Sequence, residues 1–319
     1  MPKPSKSNPV PSSIMDVPFI AIGRAVEREA VTWYRWVLLS RLLVFVGSLV
    51  VVVLGAFDNV PHRIAAASAV LMIVVELSTH LILIPKASQI NLLARSILQR
   101  EVLVAAGYLT ETSPGTAALK NQVDATVPNA CAKAHAWLSG RVGKKPDGSD
   151  YHTTTEHEPS IRLLDILFEN YSWWSHLASR TAARYTVVVT AAVALVVAGI
   201  LLPILLPIGN DLGVPIALIA LNGFLLFSGL SVIQERLKWK EAAAEFRLKR
   251  AELMNLLEVR DDDIGELHAY ATTYGLLTTM TGPVPVAILR SEYEAIDRRV
   301  TAELGEREQR RRAVKSSAP

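Results

Sequence analysis

The sequence contains one cysteine, Cys131, so no disulfide can form within a single chain, which fits a reducing compartment. It lacks the phosphate-binding GxxxxGKS/T motif, the nucleophile motif GxSxG and the zinc-protease motif HExxH. No strand pattern or clear internal repeat is present. No apolar run precedes residue 17, so the Pro- and Ser-rich start is expected to be a disordered tail rather than a cleaved signal peptide. We therefore expect no catalytic residues and no enzyme activity.

Long hydrophobic runs are what the sequence does contain. Half of the 319 residues are hydrophobic, and the mean hydropathy of +0.29 is high for a water-soluble protein. The apolar residues are concentrated in four blocks, each about 20 residues long, which is the length a helix needs to cross a bilayer. The blocks are Val37–Phe57, Ile64–Pro85, Tyr185–Ile208 and Val214–Ile233.

The positive charges predict the orientation of these four spans. Of the 33 Lys and Arg residues, only Arg63 lies in a connection that would face outward. Basic residues that flank spans are retained in the cytoplasm, so an asymmetry of this size sets the topology. We expect a multi-pass membrane protein with both termini and the middle segment in the cytoplasm. The outer connections, DNVPHR and GNDLG, are short.

The predicted fold class is an all-α integral membrane protein, with two transmembrane helical hairpins whose helices extend into an all-helical cytoplasmic bundle. Apolar spacing after Lys86 predicts an amphipathic helix that ends at the SPG sequence, and a second helix is expected over Thr116–Leu138, bent at Pro128. Pro159 suits the first turn of a helix that continues into span three. The expected regions are a disordered or amphipathic cytoplasmic N-terminus (1–35), hairpin 1 (36–85), a helical middle segment (86–183), hairpin 2 (184–233) and a helical C-terminal region (234–319).

Four polar residues fall within the predicted spans. Counting 1.5 Å per residue from the outer end of each span places Arg41, Glu76 and His80 at similar depths in the membrane. Arg41 can therefore reach Glu76 or His80 across the first hairpin. A charge at such depth is costly unless it is paired, hydrated or snorkelling. These residues would either line a pore or hold its closed state, or form a static ion pair. Asn222 in span four is either interhelical glue or pore lining.

Other polar and aromatic groups have simpler interpretations. A loop with His152, Glu156, His157 and Glu158 has no metal-ligand spacing, so we expect it to be solvated and predict no metal site. Asp261–Asp263 is expected to cap a helix. The basic tail of Arg310–Arg312 and Lys315 either touches anionic lipid or nucleotide phosphates or, as is usual, is solvated. The aromatic group Tyr171, Trp173 and Trp174 is expected to pack in a core or at the membrane interface rather than to stack on bases.

The segment before span three carries a family resemblance. FENYSWWSHLASRTAARY offers Asn170, Trp173, Leu177, Arg180 and Tyr185 at places comparable to a motif of the SMODS-associated four-transmembrane effectors of bacterial defence islands. The two hairpins, the cytoplasmic middle of about 100 residues and the helical tail also resemble that family. The Cys-Gln-Arg that begins the family motif is absent, and Trp174 stands where the family has an acidic residue.

The resemblance implies a membrane effector of a cyclic-nucleotide (CBASS-like) antiphage system. A cyclic oligonucleotide or other nucleotide would bind the cytoplasmic bundle, and a homo-oligomer would then breach the membrane. No cofactor and no DNA or RNA partner is expected. The alternative is a membrane scaffold whose cytoplasmic helices bind a partner protein, or a small channel or transporter subunit.

Overall fold

The structure, a computed structural model, describes residues 13–56, 67, 70, 71, 74, 75, 77–140, 154, 158–205, 232–256, 264–280 and 286–317. Within these ranges the secondary structure is entirely helical, and eight α-helices form. The helical fold class is thereby confirmed. The helices are α1 (Phe19–Ala56), α2 (Ile84–Ala106), α3 (Pro114–Thr126), α4 (Ala130–Ser139), α5 (Pro159–Leu205), α6 (Val232–Asn255), α7 (Ile264–Met280) and α8 (Val286–Ser317).

The helix boundaries follow the local sequence signals. Gly107 ends α2 in a left-handed conformation with φ 89°, which costs glycine no steric strain. Proline occupies the first turn of α3 and opens α5, where its missing amide hydrogen is not needed. The helix predicted over 116–138 is interrupted rather than bent, because Asn129 adopts φ 57° directly after Pro128.

Two apolar clusters form the interior. The N-terminal cluster joins the first half of α1 to α2, α3 and α4; its fully buried members include Phe19, Ile22, Ile90, Ile97 and Val123. The first half of α1 lies in the region predicted as disordered or amphipathic, and the structure buries it. Short residues such as Ala21, Ala25 and Ala94 let these helices approach closely.

The aromatic cluster joins α5, α6 and α7 around stacked rings. Trp174 lies 6.3 Å from Trp239 at 9° and 5.7 Å from Phe246 at 25°. Burial raises the pKa of Tyr171, so its hydroxyl stays protonated and donates to the backbone carbonyl of Tyr270 at 2.8 Å. The expectation that Tyr171 and Trp174 pack in a core is confirmed.

Arg95 on α2 connects the two clusters. Its side chain is 1% exposed, and its guanidinium lies 4.7 Å from the centre of the Trp174 ring and 3.6 Å from the Glu27 carboxylate. Burial lowers the pKa of Arg95 while the Glu27 charge opposes that shift. An arginine can bridge an ion pair and a ring face because its guanidinium is planar and weakly hydrated.

We call the part of the protein that contains the two apolar clusters the body. At one end of the body, polar contacts join four helix segments, and we refer to this position as one level. Arg236 on α6 donates to the Thr186 hydroxyl on α5 at 2.9 Å, Tyr185 on α5 shares a side-chain hydrogen bond with Tyr34 on α1, and Thr79 donates to Ser40 at 2.8 Å. Beyond this level α1 and α5 continue outward, and α6 and the turn before α2 arrive from the same side.

Exposed apolar side chains concentrate near and beyond that level. Among the described residues, 15 of the 21 exposed large hydrophobic side chains lie in the stretches 36–43, 70–82, 187–197 and 233–237. Water disfavours such a band on one end of a molecule, whereas hydrocarbon favours it. The most exposed of these side chains are Leu71, Leu81, Ile82 and Val187.

One segment among the described residues is long and apolar enough to cross a membrane, namely Thr79–Ala106, with 44% of its apolar window buried within the protein. A core helix of a soluble protein satisfies the same criterion, so this segment alone does not establish a span. Residues 37–56 of predicted span one lie in α1, and residues 185–205 of predicted span three lie in α5. Most of span four and part of span two lie outside the described residues.

Lys120 fastens the N-terminal segment to α3. Its ammonium group, 1% exposed, donates to the carbonyls of Met15 and Val17 at 3.0 and 2.8 Å and to the Glu111 carboxylate at 2.9 Å. The other Glu111 oxygen accepts the Phe19 amide at the start of α1. One buried cation thereby satisfies three oxygen atoms that would otherwise lose water.

We predict that Lys120→Met destabilises the protein by about 2–3 kcal/mol, because it leaves buried acceptors without a donor. The matched control is Lys133→Met, which removes a half-exposed lysine from an ion pair with Glu29 and should cost about 1 kcal/mol or less. Thermal unfolding followed by circular dichroism measures both variants. Equal midpoints for the two variants would contradict the role given to Lys120.

Candidate functional site

A line of charged pairs joins α5 to α8, and we call it the α5–α8 seam. Near the apolar end of the body, Arg184 and Arg180 lie 2.9 and 3.7 Å from the Glu292 carboxylate. At the far end, Asp165 contacts Arg307 and Arg311. The residue numbers fall along α5 as they rise along α8, so the two helices pack antiparallel.

Glu303 forms the middle of the seam. One of its carboxylate oxygens lies 2.8 Å from His176 Nε2 on α5 and 2.8 Å from Arg250 Nη1 on α6. Burial alone would raise the pKa of Glu303, but the hydrogen bond from His176 and the charge of Arg250 hold it below its usual value. Three helices therefore meet on one ionised carboxylate.

Asp165 is the most enclosed acidic contact of the seam. It accepts a hydrogen bond from Arg307 Nη1 and two from Arg311, at 2.5 Å from Nη2 and 3.3 Å from Nη1. Arg307 and Arg311 are 3% and 5% exposed. Arg307 also donates to the Leu256 carbonyl at the end of α6 and lies 5.2 Å from the centre of the Phe168 ring.

Apolar packing contributes comparatively little to the docking of α8. Among its described residues the buried hydrophobic side chains are Ile296 and Val300, while α5 and α6 share the stacked aromatic rings. Trp173 adds a tilted contact with Tyr293, ring centres 5.1 Å apart. Charge pairs therefore make up a large part of the contact between α8 and the other helices.

A cleft of about 290 Å³ opens beside the seam between α5, α6 and α8. Its walls combine an apolar side, formed by Phe168, Ala251 and Met254, with polar groups on Arg250, Asn255, Glu303 and Glu306. Such a volume, with a few convergent polar groups, matches the lower end of the range for small-molecule sites. Within the described residues no group of three His, Cys, Asp or Glu side chains is placed to hold a metal ion.

The structure describes only some of the polar residues that were predicted to lie within the spans. His80 lies in a π-helical turn, Thr79–Leu83, and its side chain is exposed. π-turns within α-helices are frequent at functional sites. Arg41 lies on the backbone of α1, but its side chain falls outside the described part, as do Glu76 and Asn222. The predicted contact of Arg41 with Glu76 or His80 therefore stays a prediction.

The residues of the family resemblance share one helix, α5, but have different surroundings. Leu177 is buried in the aromatic cluster, while Trp173 contacts Tyr293 and Arg180 contacts Glu292 on α8. Tyr185 lies beside Tyr34 at the level where the apolar stretches begin. Asn170 is half-buried. Trp173 and Arg180 are thus part of the α5–α8 seam.

The remaining candidates divide between the described and undescribed parts. Glu158 accepts a hydrogen bond from Ser160 beside the start of α5, and the other members of its loop group, like Asp261–Asp263, lie outside the described residues. In the basic tail, Arg310 and Arg312 are exposed beside Glu306 and Glu308. The solvated interpretation is wrong for Arg311, which is buried on Asp165.

Sequence reasoning missed Asp165, Lys120 and Arg95. Asp165 stands alone among apolar residues in IRLLDILF, and a single acid on a buried helix face is a detectable signal for a buried partner. The identity of that partner is not readable, because Arg311 lies more than 140 residues away within a run of three arginines.

Comparisons with known proteins add no family: no family model, no curated protein and no solved structure matches the chain.

We predict that Glu303→Gln loosens α8, because His176 and Arg250 lose their shared charge. The depressed pKa also makes docking pH-dependent: the contribution of Glu303 is fully present above its ordinary pKa of 4.5 and is lost as the pH falls through the lower folded pKa. Hydrogen exchange of α8 amides in the full chain should rise in the variant at neutral pH and in the wild type in acid.

Glu306→Gln provides the control, since Glu306 is 54% exposed and pairs with Arg310 on its own helix. Its exchange should match the wild type. If Glu303→Gln exchanges no faster than Glu306→Gln, the seam does not hold α8.

Proposed function

We propose that the chain is a four-span membrane effector of a bacterial antiphage system, activated by a nucleotide second messenger on its cytoplasmic bundle and acting as an oligomer that permeabilises the inner membrane. The proposal rests on the resemblance to the four-transmembrane effectors, which involves Asn170, Trp173, Leu177, Arg180 and Tyr185. The structural observation that supports membrane insertion is the band of exposed apolar side chains.

The apolar band supports four spans because four helix segments leave the body at one level. The contacts Thr186–Arg236, Tyr34–Tyr185 and Ser40–Thr79 align these segments, and their exposed side chains beyond that level are mainly Val, Leu and Ile. In a bilayer the band would face lipid, and the backbone hydrogen bonds would be satisfied within the helices.

The placement of charge supports the same orientation. The seam, the cleft and the buried cations Arg95 and Lys120 all lie on the body side of the level marked by Tyr185. A cytoplasmic body with many Lys and Arg residues next to four apolar stretches agrees with the positive-inside distribution.

The continuity of α5 supports a route from sensing to permeation. The same helix carries the charged seam near Asp165 and the exposed valines from Val187 onward. A ligand that favours one arrangement of α8 over another would therefore bias the position of the apolar part of α5, provided that its affinities for the two arrangements differ.

We predict that expression with a cyclic-nucleotide synthase depolarises the host membrane, measured with a potential-sensitive dye. The double variant Glu76→Leu with His80→Leu should lose most of this signal, because a pore assembled from these helices has few other polar residues to line it. The matched control, Leu77→Met with Leu81→Met, alters the same turns without changing polarity and should retain the signal.

The outcomes distinguish a membrane-permeabilising effector from a membrane scaffold. Absence of depolarisation under every activating condition would contradict the proposal. Protection against phage that survives Glu76→Leu with His80→Leu would instead favour a scaffold that recruits a partner protein.

A further inference from the structure

We propose that the exposed side of α6 binds the same side of α6 in a second copy of the chain, with the two helices parallel. This inference deepens the proposed function and rests on it, because it assigns a contact surface to the oligomer in the membrane. It starts from the distribution of apolar residues around α6.

Helix α6 carries apolar residues on two opposite sides. One side packs within the chain and includes the buried residues Trp239, Ala242 and Phe246. The opposite side exposes Leu237 at 52% and Leu248 at 53%. We call this exposed side the α6 strip, and its residues follow one another at alternating spacings of four and three: Leu237, Glu241, Ala244, Leu248, Ala251 and Asn255.

The spacing of the α6 strip is that of a coiled coil, in which two helices pair along the heptad positions a and d. Leu248 and Asn255 take position a, and Leu237, Ala244 and Ala251 take position d. The residues that α6 buries within its own chain occupy positions b, c and f, which pairing through a and d leaves unused. A single asparagine at position a fixes the register of such a pair.

The charged residues beside the α6 strip are complementary in a parallel pair. In that arrangement position g of one helix faces position e of the next heptad in the other helix. Lys240 therefore lies opposite Glu245 of the second copy, and one heptad further along Arg247 lies opposite Glu252. Lys240 also borders the outermost a residue of the second copy, Glu241, and balances its charge.

An antiparallel pair has the opposite electrostatics. There g faces g and e faces e, so Lys240 and Arg247 meet each other while Glu245 and Glu252 meet each other, and like charges repel. The proposed membrane topology imposes the same choice, because copies that cross one bilayer in the same direction present α6 in parallel.

Lipid does not account for most of the α6 strip. Arg236 lies at the level where the apolar stretches begin, and Leu248 is 12 residues further along the same helix. At the helical rise, Leu248 lies about 18 Å away from that level, toward the body. Hydrocarbon can therefore cover Ile233 and Leu237, where the strip joins the apolar band, but not Leu248 or Ala251.

The membrane makes pairing through a short strip favourable. The α6 strip covers fewer than the three or so heptads that usually sustain a coiled coil. Copies held in one bilayer already share their orientation and depth before they meet, so pairing costs less rotational and translational freedom than it does in solution.

Disulfide trapping of the full chain tests this surface in membranes isolated from the cells used for the depolarisation measurement. With Cys131→Ser as background, single cysteines replace Ala244 and Ala251 on the α6 strip. The matched controls replace two other exposed alanines, Ala269 on α7 and Ala302 on α8. After mild oxidation each strip variant should give about tenfold more linked dimer than either control, because facing d positions come within disulfide reach.

A second pair of variants changes the contact itself. Leu248→Lys, added to Ala244→Cys, places like charges at facing a positions and should lower the yield of dimer about tenfold. Leu276→Lys makes the same change at an exposed leucine of α7 and should leave the yield unchanged. Because both leucines are exposed within the chain, both variants should keep the circular dichroism of the parent.

Equal trapping at strip and control positions, or an unchanged yield with Leu248→Lys, would overturn the α6 pair. Trapping at only one of positions 244 and 251 would overturn the parallel arrangement, since an antiparallel pair brings at most one of them to its own copy. Depolarisation without trapping on the strip would leave the proposed function standing and remove this surface, whereas trapping without depolarisation would do the reverse.

Discussion

Unbroken backbone hydrogen bonding along α5, from Pro159 to Leu205, is the constraint on which the rest of the structure depends. At 1.5 Å per residue its 47 residues extend about 70 Å, which is longer than the helical body that packs around its first half. The first half supplies Phe168, Tyr171 and Trp174 to the aromatic cluster. The second half exposes four valines, Val187, Val188, Val193 and Val197. A rigid rod of this kind obliges the body and its apolar end to move together.

The helical body is held by two kinds of contact, stacked rings and charge pairs. The packing of α5 with α6 depends on stacked rings such as Trp174 and Trp239, which are close-packed and tolerate little displacement. The packing of α8 on α5 depends largely on charge pairs, among them Asp165 with Arg307. Under the proposed function, the sensing movement therefore belongs to α8, and α6 moves with α5.

Most of the helical fold was predictable from sequence, because it depends on local signals. Pro159 begins α5, as predicted. The helix predicted to end at the SPG sequence instead ends at Gly107, whose left-handed conformation stops it earlier, and Pro114 of SPG opens α3. The site was much less predictable. Asp165 meets Arg311, and His176 meets Glu303, only after chain segments more than 120 residues apart fold together. Charge alone does not distinguish buried Arg311 from its exposed neighbours Arg310 and Arg312.

Substituted-cysteine labelling tests most directly our proposal that the apolar stretches cross a bilayer with the charged body inside the cell. With Cys131→Ser as background, single cysteines replace Asn59 and Asn210 in the outer connections and exposed Lys240 on α6. A membrane-impermeant maleimide applied to intact spheroplasts should label positions 59 and 210, and position 240 only after lysis. Labelling of position 240 in intact spheroplasts, or of none of the three before lysis, would contradict the account.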